Sequence, residues 1–133
     1  MGLGIYPCFK PRVPGAEFDS DGTFLLREYE FLDDIAGEMG LTPLSSFGDT
    51  RPVPDGFEGS PDDLREFRGP WDEWFPIDDA AQTVDGLIDA LSSISIYRKK
   101  SEHVDELICE LQELRRCFKV AGKHRAKFRF DVF

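Results

Sequence analysis

In residues 125–133, Arg125-Ala126-Lys127-Phe128-Arg129-Phe130-Asp131-Val132-Phe133, polar and apolar side chains alternate from Arg125 to Val132. Ala126, Phe128, Phe130 and Val132 fall on one face of an extended chain, and Arg125, Lys127, Arg129 and Asp131 fall on the other. A period of two reads as a strand with one buried and one solvated face. One strand is not stable alone, so the rest of the chain must supply a partner strand and a cover.

The natural partner lies at the other end. In the stretch from Leu3 to Phe9, Leu3, Ile5 and Phe9 face one way and Tyr6 and Cys8 the other. Pro7 lacks a backbone donor and pushes this strand to a sheet edge. Leu41 to Phe47, limited by Pro43, is expected to add a short third extended piece.

Three amphipathic segments supply the cover. Phe24, Leu25, Leu32, Ile35, Ala36 and Met39 follow helical spacing, with N-cap candidates in Asp19-Ser20-Asp21-Gly22-Thr23 and Gly40 as the stop. A second helix over about 79–93 is expected to be capped by Asp78, with Ala81, Val84, Leu87, Ile88 and Leu91 in one stripe. Gly86 inside it costs about 1 kcal/mol relative to alanine, which a close contact with another element would explain. Ser101 caps the longest helix, 102–121, where Val104, Leu107, Ile108, Leu111, Leu114, Phe118 and Ala121 hold the pattern until Gly122. Ser95 to Lys100 reads as a basic connection. The expected fold is one α+β domain over residues 1–133. A two- or three-stranded sheet from the termini is covered by three main helices and a long irregular acidic segment.

That irregular segment, residues 48–77, contains Pro52, Pro54, Pro61, Pro70 and Pro76 and an excess of acids. Within it Ser60-Pro61-Asp62-Asp63-Leu64 has the shape of a helix start, serine at the cap and proline at the first position. A structureless loop of this length is uncommon in a compact domain, so the segment folds in part, or acts, or both. At its end Gly69-Pro70-Trp71-Asp72-Glu73-Trp74-Phe75-Pro76 holds both tryptophans of the chain. One reading is a plug that folds back over the helices. The other is a partner-binding surface formed by Trp71, Asp72, Glu73, Trp74 and Phe75, because tryptophan is enriched at interface hot spots and the flanking carboxylates would select a basic partner.

Composition narrows the function further. The net charge of −10 over 133 residues disfavours nonspecific contact with nucleic acid or anionic membranes. The acids crowd residues 1–96, whereas Arg115, Arg116, Lys119, Lys123, Arg125, Lys127 and Arg129 follow one another with no acid between Glu113 and Asp131. That basic run invites a nucleic-acid reading, against which stands internal pairing with the acidic 48–79 segment. No apolar run approaches the length of a membrane span, and the N-terminus lacks a signal-peptide layout. Three cysteines, Cys8, Cys109 and Cys117, form no metal or redox motif and suit a reducing, cytoplasmic setting.

Motifs for chemistry are sparse. Asp33-Asp34, Asp62-Asp63, Asp72-Glu73 and Asp78-Asp79 are adjacent pairs whose side chains point apart, whereas acid–base catalysis needs carboxylates brought across a cleft in unlike environments. Asp49, Asp55, Glu58, Asp62 and Asp63 could hold a divalent ion loosely. His103 and His124 flank the last helix too far apart to share a metal, and neither a nucleophile elbow nor a phosphate-cradling glycine loop is present.

Gly4-Ile5-Tyr6-Pro7, Val13-Pro14-Gly15, Leu32-Asp33-Asp34-Ile35-Ala36, Pro43-Leu44-Ser45-Ser46-Phe47 and Trp74-Phe75-Pro76 before a helix together resemble small, acidic, single-domain bacterial proteins of unknown function. The resemblance covers most of the chain and implies no catalytic residue. The expectation is a non-enzymatic binding protein that neutralises or regulates a protein partner, with no cofactor and no assigned metal site. The alternatives are a hydrolase using carboxylates of the 49–79 segment, with or without a divalent metal, and nucleic-acid binding through the basic C-terminal region. Rings exposed on the acidic segment would equally serve a homodimer contact.

Overall fold

A computed structural model describes residues 4–20, 22–48, 56, 58–60, 63, 66–67 and 73–132. In chain order these form β1 (Ile5–Lys10), α1 (Thr23–Arg27), α2 (Tyr29–Glu38), a 3-10 turn (Leu44–Phe47), β2 (Phe75–Pro76), α3 (Ile77–Ser93), α4 (Ser95–Lys100), α5 (Val104–Gly122) and β3 (Lys127–Val132). The architecture is α+β, with a three-stranded antiparallel sheet in the order β1-β3-β2.

The alternating C-terminal segment is the middle strand. Pro7 stands opposite Phe130 and Phe9 opposite Phe128, so the inward face of β1 continues that of β3. Pro7 is in an edge strand, as its missing donor requires. The N–H of Ile5 donates to the Gly22 carbonyl at 3.0 Å, away from β3, and the nitrogen of Pro7, two residues on, points the same way.

The third strand is not the 41–47 piece. Leu44 and Phe47 are both buried and three residues apart, a spacing that puts them on one side of a 3-10 turn. Phe75–Pro76 takes the place beside β3 instead, with Phe75 opposite Phe128. This strand runs straight into α3, so Pro76 occupies the cap position expected of Asp78, while Asp78 and Asp79 lie in the first turn where they favour the helix dipole.

One apolar cluster joins the layers: Leu32, Ile35 and Ala36 from α2, Val84, Leu87 and Leu91 from α3, Leu107, Leu111, Leu114 and Phe118 from α5, and Phe128 and Phe130 from β3. The Phe128 ring, 0% exposed, lies 4.8 Å from Phe118, 5.3 Å from Phe47 and 5.2 Å from Phe130 between centroids. These tilted and edge-on pairs add to simple area burial. A Cβ at Gly86 would come within 2.4 Å of Leu41 Cδ1, which is the close contact that keeps a glycine inside α3.

Four boundaries differ from the sequence reading. The first helix is divided at Glu28, although the bonds from Glu28 N to Phe24 O and from Leu32 N to Glu28 O run through the division. The N-cap of α1 is Gly22, within the candidate run, whereas α5 begins at Val104 with His103 in the cap position expected of Ser101, whose Oγ accepts from the His103 N–H at 3.1 Å. Residues 95–100 form a helix rather than a connection: the Tyr97 hydroxyl donates to the Glu38 carboxylate, and Arg98 Nη1 donates to the Leu91 carbonyl at 2.9 Å. At the end of α5 the left-handed residue is Arg125, at φ 54°, and the Ala126 N–H reaches back to the Ala121 carbonyl at 3.3 Å. Gly122 is still helical.

Gly22 has a φ of 68°, and a Cβ there would lie 1.9 Å from the Ile5 carbonyl oxygen, which cannot move without breaking the edge of β1. Gly22→Ala is therefore expected to lower stability by more than the roughly 1–2 kcal/mol that a left-handed alanine costs by itself. Urea unfolding followed by far-UV circular dichroism checks this through the midpoint.

Candidate functional site

Of Trp71, Asp72, Glu73, Trp74 and Phe75, the first two lie outside the described residues. The other three are positioned by β2. Phe75 must face inward to pack on the core, with its ring 5.5 Å from that of Phe47, and it is half-buried. Strand alternation then sends Trp74 to the outer face of the sheet.

There the indole is half-buried and stacked on cations. The Arg129 guanidinium of β3 is 4.4 Å from the ring centroid, and the Lys10 ammonium of β1 is 5.5 Å from it. Such contacts stabilise by about 0.5–2 kcal/mol each, according to how far the cation is desolvated. Glu73, next to the indole, is exposed. The result is a large aromatic surface with little rotational freedom left, beside a carboxylate open to solvent.

Upstream, the expected helix start is present. Ser60 N donates to Asp63 Oδ2 at 3.0 Å and Asp63 N donates to Ser60 Oγ at 3.2 Å, a reciprocal capping box. Asp63, Glu66 and Phe67 are helical and exposed.

Among the described residues the candidate acids for chemistry form no cluster of three metal-ligating side chains. Asp33 accepts from Ser45 N at 3.4 Å, and Asp34, Glu58, Asp63, Asp78 and Asp79 are exposed. Asp49, Asp55 and Asp62 lie outside the described residues. Among the described residues no three His, Cys, Asp or Glu side chains group as metal ligands. His103 packs beside Phe24 with 5.0 Å between ring centroids, and His124 is exposed. Among the described residues no helix is long and apolar enough to cross a membrane. A hollow of about 270 Å³ is lined by Pro7, Cys8, Phe9, Arg12, Val13, Ala16 and Glu17.

The basic C-terminal run is partly committed to the fold. Arg115 pairs with Asp85 at 3.8 Å, and Arg116 pairs with Glu113 while donating to the Gly15 carbonyl at 2.8 Å. Lys119, Lys123, Arg125 and Lys127 are exposed. Arg129 carries the indole of Trp74.

Two acids on α5 have roles that the sequence reading missed. Glu110, 5% exposed, accepts from Leu25 N at 2.9 Å and from Ser20 Oγ at 3.2 Å. It caps the start of α1 from across the molecule, replacing the side chain that Gly22 lacks. Its position three residues after Leu107 and four before Leu114 places it on the buried stripe, and that spacing was the available signal. Glu113, one turn on, accepts from Asp19 N at 2.7 Å.

Comparison with protein-family models, curated proteins and solved structures finds no match.

Hydrogen bonding from the Arg116 guanidinium, helped by the Asp19 amide, holds the Glu113 carboxyl below its ordinary value of 4.5 against the opposing effect of burial. A carboxyl lowered in this way contributes stability that is fully present above pH 4.5 and is lost as pH falls through its folded value. Glu113→Gln is expected to flatten the decline of stability below that pH, measured by urea unfolding at stepped pH. Burial pushes the Cys117 thiol up to about 11, whereas Cys109 is exposed. Iodoacetamide at pH 8 is therefore expected to label Cys109 and to leave Cys117 unmodified until the chain is unfolded, as read by mass spectrometry.

Proposed function

We propose that the protein is a non-enzymatic binding protein that engages a protein partner through the surface around Glu73 and Trp74. The observation that carries this reading is the seating of Trp74: a half-buried indole on the outer face, stacked on Arg129 beside an exposed acid. A rigid aromatic surface gives up little side-chain entropy on binding, and tryptophan so placed serves as an anchor. Phe75 belongs to the core and supports the anchor from behind. The matching partner is basic, because Glu73 and a net charge of −10 attract cations and repel acidic competitors. Neutralisation or regulation of that partner follows from covering its basic surface. A reducing, cytoplasmic setting is supported by three cysteines of which none forms a disulfide.

The test compares partners recovered from the native host by the wild-type chain, by Trp74→Ala and by Glu73→Lys. A partner that binds here is retained by the wild type and lost at least tenfold with either variant. Glu73→Lys changes an exposed side chain and leaves the fold intact, so identical recovery by all three chains overturns the reading even if Trp74→Ala is less stable.

A further inference from the structure

Four cations follow one another where α5 turns into β3. Lys119, Lys123, Arg125 and Lys127 are all exposed, and among the described residues none of them pairs with a carboxylate. No acid occurs in the sequence between Glu113 and Asp131. A basic run is ordinarily just a solvated face. Two features of this one work against stability and set it apart. Arg125 has a φ of 54°, the left-handed conformation that glycine takes at a helix end without the steric cost a side chain meets. Lys127 stands directly opposite Lys10 across the β1–β3 ladder, and like charges so placed repel. The fold alone would favour glycine at 125 and a neutral or acidic side chain at 127. Positions that break a local rule in this way point to a requirement outside the fold.

The chemistry that answers such a run is anionic, and the surroundings say which kind. The exposed large apolar side chains among the described residues are Tyr29, Met39, Phe67, Ile94 and Ile96, and none belongs to this stretch. A protein partner needs an apolar or aromatic centre to its contact. Phosphate oxygens need only Lys, Arg and similar donors. Lys119 and Lys123 lie one turn apart on α5, the helix that packs under the sheet through Phe118 and Phe128. Lys127 starts β3 on the outer face of the sheet, so the run passes around one end of the molecule from layer to layer. A flexible single strand can follow that path, whereas a straight duplex cannot.

We propose that this end of the molecule binds the sugar–phosphate backbone of single-stranded nucleic acid, without regard to base sequence. Each of the four cations meets a phosphate, and Arg125 at the turn links the two on the helix to the one on the strand. The net charge of −10 keeps the contact weak. Charges act over about 8 Å at physiological salt, so the cations nearest a phosphate count for most. This contact stands apart from the reading of Glu73 and Trp74 and does not depend on it.

Fluorescence anisotropy of a labelled oligothymidine titrated with the full chain is the test. Four phosphate contacts to a single strand give a slope of about −3 for log K against log salt, which is about a fiftyfold loss of affinity between about 50 and 200 mM. Lys123→Gln and Lys127→Gln are each expected to weaken binding severalfold and to reduce that slope by about 0.7. Lys99→Gln removes the same charge from α4 and is expected to change neither. Arg125→Gly is expected to weaken binding while raising the urea midpoint, an outcome that a merely structural arginine would not give. Labelled polyglutamate is expected to bind far more weakly than oligothymidine. No binding at low salt, equal binding of polyglutamate, equal effects of Lys99→Gln and Lys123→Gln, or an Arg125→Gly chain that binds undiminished overturns the proposal.

Discussion

Phe128 is the side chain on which the three layers converge. It sits in the middle strand, opposite Phe9 on one side and Phe75 on the other, and its ring meets Phe118 of the longest helix and Phe47 of the 3-10 turn. Burial of one such ring is worth about 1.5–3 kcal/mol from area alone, but its larger effect is geometric. Every element that touches it must approach from a fixed direction. The strand with the strongest local pattern therefore also decides where β2 pairs and where α3 begins. Its principal partner, β1, comes from the other end of the chain, so the sheet closes only through a contact of very long sequence separation.

The second constraint is the acid-and-arginine face of α5. Glu110 and Glu113 accept backbone donors from residues 19–25, and Arg116 donates to the carbonyl of Gly15. A buried carboxylate is costly unless it is hydrogen-bonded, and Glu110 accepts from Leu25 N and Ser20 Oγ. These contacts hold the loop after β1 in the place that brings Gly22 against Ile5. That closeness is what forbids a side chain at residue 22, and so the cap for α1 has to come from α5.

The same economy of position governs the surface. Trp74 faces outward because Phe75 has to face inward, and the sheet answers with Arg129 and Lys10 from two other strands. The candidate binding surface is thus a consequence of core packing as much as a decoration on it. Charge follows a related logic: the fold spends Arg115 and Arg116 on internal partners, while Lys99 and Lys100 are left at the surface by the anchoring of Tyr97 and Arg98 on either side of them.

The chain by itself determined the elements whose pattern is local. The alternation from Ala126 to Phe130, the stripes of α2, α3 and α5, the edge position implied by Pro7, the helix start at Ser60 and the tight contact implied by Gly86 were all legible, because periodicity and backbone chemistry act over a few residues. Tertiary structure decided what depends on distant partners. It made Leu44–Phe47 a turn and Phe75–Pro76 the third strand, because only the latter can lie beside Phe128. It put Pro76 in the cap position expected of Asp78, because β2 claims the backbone there, and His103 in the one expected of Ser101. It buried Glu110 against Leu25, 85 residues away in sequence, and it turned Phe75 and Trp74 to opposite faces, one ring for the core and one for the surface.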